Sequence, residues 1–139
     1  MATIDAIRTG IQTRLATLTD VRTEHEWTGP FNVSGTVAVA IVEFDGATYD
    51  AAFTGQADAL NFKITMLVSK GSDRGGRTRL DAFLDPTPGS TTSVRTAVNG
   101  NLGGTVAFAV VTTATGYREY EISEIEKYPG VEFAVTVGT

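Results

Sequence analysis

The sequence predicts an α+β fold: a single domain in which an N-terminal helix and a two-helix insertion pack on one mostly antiparallel or mixed β-sheet. Three observations carry that expectation. Ile4, Ile7, Ile11, Leu15 and Leu18 recur at three- and four-residue intervals, the period of one helix face. Leu60, Phe62, Ile64, Met66 and Val68, and later Val131, Phe133, Val135 and Val137, recur at every second residue, the period of a strand. The helical segments are also grouped between runs of strands instead of alternating with them, which disfavours a βαβ parallel sheet.

The elements follow in chain order. Thr3 is placed to cap the first helix, with Asp5 near its start and Arg14 near its end, both matched to the helix dipole. Gly10 weakens that helix by about 1 kcal/mol relative to Ala. Val21 to Trp27 reads as a short extended segment, ended by Gly29-Pro30. Thr36 to Phe44 is apolar on both sides and predicts a strand covered on both faces. Asp45-Gly46 reads as a turn. The Gly-, Ala- and Asp-rich stretch from there to Gln56, carrying Tyr49 and Phe53, is either a loop or a protruding hairpin.

Leu60 to Ser69 then predicts a long strand, roughly 33 Å if fully extended. Ser72 and Asp73 open a helix running to about Leu84 and stopped by Asp85-Pro-Thr-Pro-Gly89. Thr92 or Ser93 opens a shorter helix with Val94, Ala97 and Val98, ended by Asn99-Gly100. Leu102-Gly-Gly104 leads into a strand from Thr105 to Thr113, and a second strand runs from Tyr117 to Lys127. Tyr128-Pro-Gly130 has the residue order of a type II turn before the last strand.

Composition narrows the function classes. The chain has 139 residues, 42% hydrophobic and 19% charged, which describes a folded domain and not a disordered one. There are no cysteines, so disulfides, thiol catalysis and Cys-ligated metals are excluded together. The N-terminus carries Asp5 before its first Arg and does not read as a signal peptide, and an intracellular site of synthesis fits the lack of Cys. No apolar run reaches the length of a membrane span. The net charge of −5 argues against a basic surface that grips DNA without sequence preference.

The charge is unevenly distributed. Five cations (Lys63, Lys70, Arg74, Arg77 and Arg79) face only Asp73 between residues 63 and 79. Five glutamates (Glu119, Glu121, Glu124, Glu126 and Glu132) face Arg118 and Lys127 between residues 117 and 133. These are either two solvated faces or two patches that meet between neighbouring copies.

Candidate chemistry is sparse. His25 is the single histidine, and its neighbours Glu24 and Glu26 would point to the opposite face of a strand, so it reads as structural. Lys70-Gly-Ser-Asp-Arg-Gly-Gly-Arg77 lies between a strand and a helix, a position that suits phosphate binding. It lacks the ending of a P-loop, and Asp73 would repel an anion there. Glu43, Glu119 and Glu121 form no recognisable acid–base pair. The expectation is a protein without catalytic, cofactor or metal residues, working through its surfaces.

The run Phe62-Lys-Ile-Thr-Met-Leu-Val-Ser69, followed by Ser72-Asp-Arg74, Leu80-Asp-Ala-Phe-Leu84, Ser93-Val-Arg-Thr-Ala-Val98 and Leu102-Gly-Gly104, resembles the tail terminator (tail completion) proteins. These belong to bacteriophages with long non-contractile tails (siphophages), particularly those of actinobacterial hosts. The N-terminal helix, Asp45-Gly46 before the long strand and Glu132 to Val137 are similar too, so the likeness covers most of the chain. It implies a non-enzymatic virion subunit without cofactor, made in the host cytoplasm and forming a homo-oligomeric, typically hexameric, ring. That ring caps the head-proximal end of the tail tube and stops its polymerisation. Its partners would be the major tail protein and a neck or head connector, with genomic DNA passing through the lumen and no membrane involved. Gly75-Gly76 departs from a good helix start and predicts an irregular beginning there.

On this reading Lys63, Arg74, Arg77 and Arg79 are candidates for one subunit-contact patch and Glu119 and Glu121 for the other. Tyr49 and Phe53 are candidates for an arm reaching the tube or a neighbour. Two alternatives stay open: a neck or head-completion connector, and a small ligand-binding α+β domain.

Overall fold

A computed structural model describes residues 3–18, 21–24, 38–48, 59–68, 73–104, 106, 108–121 and 127–138. The fold is α+β, with helices on one five-stranded mixed sheet. Helix α1 spans Ile4–Leu15, β1 Val21–Glu24, β2 Ala38–Thr48, β3 Ala59–Leu67, α2 Asp73–Phe83 and α3 Val94–Val98. A 3-10 turn at Leu102–Gly104 precedes β4 (Phe108–Glu121) and β5 (Lys127–Gly138). The spatial order is β1-β2-β3-β5-β4, with β1 parallel to β2 and every other pair antiparallel.

Helix α1 forms as its spacing dictates. The Thr3 hydroxyl accepts from the Ala6 N–H at 3.0 Å, and Ile7, Ile11 and Leu15 are buried. Gly10 faces Leu102 of the 3-10 turn, and a Cβ at that position would sit at van der Waals distance, 3.4 Å, from Leu102 Cβ. In α3 the cap is Ser93, whose Oγ accepts from the Thr96 N–H at 3.4 Å. The proposed cap Ser72 lies outside the described residues. Gly75-Gly76 does not make the start of α2 irregular, as its sequence predicts, because α2 is helical from Asp73 onward.

One face of the sheet carries the main core. Phe62, Ile64 and Met66 of β3, with Val131, Phe133, Val135 and Val137 of β5, pack against Ile7, Ile11, Leu15, Leu80, Phe83, Val94 and Val98. Each buried aliphatic or aromatic side chain contributes about 1.5–3 kcal/mol. On the opposite face Val39, Ile41, Leu67 and Tyr120 form a second, smaller buried cluster. Strand β2 is therefore buried on both sides from Ala38 to Val42, as its apolar run predicts.

Three expectations are corrected. Asp45-Gly46 is not a turn: β2 continues to Thr48, and Gly46, at φ 132°, sits in a β-bulge between Phe44 and Gly46. The two strands expected around Thr113 and Tyr117 are one continuous β4. It absorbs extra residues in bulges between Val111 and Thr113 and between Thr115 and Arg118, where Gly116 adopts φ 68°. Tyr128-Pro-Gly130 is not a turn either, since Arg118 pairs with Gly130, Glu119 with Pro129 and Tyr120 with Tyr128.

Proline is tolerated inside β5 because of where its missing donor would point. The Pro129 carbonyl accepts from the Val68 N–H at 2.9 Å, so the proline nitrogen also faces β3, but at its last rung, one beyond the paired Leu67↔Gly130, where only a terminal bond is lost. Gly130 answers a packing demand and not a turn. A Cβ there would lie 2.7 Å from the Met66 carbonyl oxygen and 2.8 Å from the Tyr120 ring.

Candidate functional site

The register of three strands assembles a charged hollow on the sheet face opposite the helices. It has a volume of about 410 Å³ and is lined by Lys63, Arg118, Glu119, Tyr120, Glu121 and Glu132. Lys63 arrives from β3, where it pairs with Glu43 on one side and Ala134 on the other, and its Nζ lies 4.0 Å from Glu43 Oε1. The second bulge in β4 restores the alternation so that Tyr120 returns to the face shared with Leu67.

Tyr120 organises this hollow. Its ring is buried, its hydroxyl donates to the Gly116 carbonyl at 2.7 Å, and the Arg118 guanidinium stacks 4.2 Å from the ring centre. Burial, and after it the negative charge of Glu132, pushes the phenol above its ordinary value near 10. At the hairpin end Lys127 Nζ approaches Glu121 Oε1 at 3.5 Å, an exposed pair worth less than about 1 kcal/mol. Thr65, fully buried on the same face between Ile41 and Glu132, finds no hydrogen-bond partner for Oγ1 among the described residues.

The structure thus divides the candidate residues. Lys63, Glu119 and Glu121 all border this hollow, but alternation along β4 sends the Glu119 and Glu121 side chains to the face opposite Arg118 and Tyr120, where Glu121 meets Lys127. Arg79 lies elsewhere, on α2, with its guanidinium 5.4 Å over the Phe83 ring, beside a hollow of about 370 Å³ shared with Thr17, Leu18 and Thr92. Arg74 and Arg77 fall in the first half of α2. Their side chains, together with Tyr49, Phe53 and His25, lie outside the described residues. Arg118, Tyr120 and Glu132 are not among the contact candidates that the sequence suggests. The available signal was their alternation with Glu119 and Glu121, which the bulge at Gly116 obscures.

Strand β4 forms one edge of the sheet. Its outer side is occupied near its start: Ala109 and Gly100 exchange backbone hydrogen bonds, and the Val111 N–H donates to Asn99 Oδ1 at 2.9 Å. Beyond Val111 no strand pairs with this edge among the described residues. Tyr117 is half exposed and its hydroxyl donates to Asp81 Oδ1 of α2 at 3.2 Å, tying the acidic strand to the arginine-bearing helix. Phe108 and Val110 are also exposed on β4.

Among the described residues, no group of three His, Cys, Asp or Glu side chains is placed to hold a metal ion, and no helix is long and apolar enough to cross a membrane. The chain matches no protein-family model and no curated protein. What this surface can do chemically is pair charges and offer backbone groups along an edge.

Proposed function

We propose that the protein is a ring-forming tail terminator, which caps the head-proximal end of a siphophage tail tube, stops its polymerisation and presents the surface that joins tail to head. The observation that carries this reading is the long edge strand β4, with charged side chains along its open portion and exposed apolar residues at its start. An α+β subunit with such an edge has the means for head-to-tail association, in which one patch meets a different patch on the next copy. The sequence likeness described above supplies the identity of the assembly. The partners on this reading are the major tail protein below and the neck connector above, with DNA sliding through an acidic lumen.

In the contact we favour, arginines on α2 of one copy face Glu119 and Glu121 of the next. Lys63 is already near Glu43, so it serves its own subunit. Mixing purified protein with tail tubes and imaging the products tests the assignment. Rings seated at one end of each tube, with tube growth halted, are expected. Protein that remains as single copies and leaves tube growth unchanged would overturn it.

A further inference from the structure

We propose that Asn99 is a latent deamidation site whose reactivity the fold suppresses. Asn99-Gly100 is the chain's single Asn-Gly pair. In such a pair the glycine leaves the backbone nitrogen unshielded, so it can attack the asparagine side chain. In that step the Gly100 nitrogen bonds to Asn99 Cγ and loses its proton as the side-chain nitrogen departs as ammonia. Water then opens the resulting cyclic imide to aspartate or isoaspartate. No oxidant or cofactor enters.

Four hydrogen bonds oppose the attack. The Asn99 N–H donates to the Arg95 carbonyl at 3.0 Å, and the Gly100 N–H to the Ala109 carbonyl at 3.0 Å. The Gly100 carbonyl accepts in return from the Ala109 N–H. The side-chain carbonyl that would be attacked is held by the Val111 N–H at 2.9 Å. Asn99 also sits at ψ 134°, which turns the glycine nitrogen away from Cβ, whereas ring closure needs the two on the same side. The nucleophile is therefore rotated away and keeps its proton on a carbonyl. Both residues are exposed, so water has access once the segment opens.

Conversion would have unequal consequences. An aspartate at this position still accepts from Val111. An isoaspartate adds a methylene to the main chain, shifts Gly100 out of register and uncovers the edge of β4 at Ala109 and Val111. Release of that edge would make the modified protein prone to strand-edge association.

The test is peptide mapping by mass spectrometry of the full-length protein incubated in mildly alkaline buffer, native and in urea. Asn101-Leu102, whose bulky following residue slows attack, serves as internal reference. Deamidation at Asn99 more than about tenfold slower in the native protein than in urea is expected, because the native rate is limited to the fraction of molecules locally open. Asn99→Ala, which removes the side chain, should raise hydrogen exchange at Val111. Equal rates at Asn99 in the two conditions, or a rate in urea no faster than at Asn101, would overturn the proposal.

Discussion

At the scale of single residues, two side chains on the face opposite the helices illustrate opposite outcomes of burying a polar atom. The Tyr120 hydroxyl has its partner in the Gly116 carbonyl, and Tyr120→Phe should cost about 0.5–1.5 kcal/mol in denaturant unfolding. The pH dependence has a definite sign. Burial raises the folded-state pKa, so the native protein holds this proton more tightly than the unfolded chain does. The contribution is complete below the unfolded value near 10 and is lost as pH rises through the higher folded value. Wild type should therefore lose stability more steeply than Tyr120→Phe in alkaline titrations. Thr65 is the converse case: its buried Oγ1 has no partner among the described residues. Thr65→Val keeps the shape and removes the stranded hydroxyl, so a gain of about 1 kcal/mol is expected. A loss of similar size would show that the hydroxyl is satisfied.

At the scale of elements, glycine-bearing dipeptides decide how the sheet is put together, and here sequence and structure part. The 3.6-residue stripe of α1 and the alternation of β3 and β5 are legible because burial on one face imposes a period that any reader of the chain can count. Asp45-Gly46, Gly116 and Pro129-Gly130 are not legible in the same way. A glycine announces that the backbone can take an unusual angle or accept a close neighbour. Whether the chain then reverses or merely inserts one residue depends on whether a partner strand continues alongside. Across from Gly46, β3 continues to Ala59, and across from Gly116, β5 continues past Glu132, so both are bulges. The same ignorance hid the charged hollow, since placing Lys63, Glu132, Arg118 and Tyr120 on one face requires the registers of β3, β5 and β4 together. Gly116→Ala tests the bulge. The new Cβ would lie 2.5 Å from the Tyr120 hydroxyl at a backbone angle that L-residues rarely adopt, and about 1–3 kcal/mol should be lost. In the Tyr120→Phe background the penalty should shrink, because the clashing atom is gone, and a double-mutant cycle would measure that coupling.

At the scale of the whole molecule, the ring proposed above would bring together acidic subunits, each with a net charge of −5, against their mutual repulsion. In the proposed ring this repulsion is offset where arginines of α2 meet Glu119 and Glu121 of the next copy. Within one subunit Tyr117 links β4 to Asp81 of α2, so the acidic strand and the basic helix are neighbours and not opposite poles. A head-to-tail contact must then run along one flank, with each helix reaching across to the adjoining strand. Charge reversal separates that arrangement from two independently solvated faces. Glu119→Lys with Glu121→Lys should dissociate the ring while leaving thermal unfolding of the subunit nearly unchanged, since both glutamates are exposed. Reversing Arg77 and Arg79 to glutamate in the same protein should restore association, as measured by light scattering. Wild-type rings should also weaken as added salt shortens the screening length from roughly 10 Å at 0.1 M to 3 Å at 1 M. Rings indifferent to both the reversals and the salt would mean that edge pairing or apolar contact, at Phe108 and Val110, holds the copies together instead.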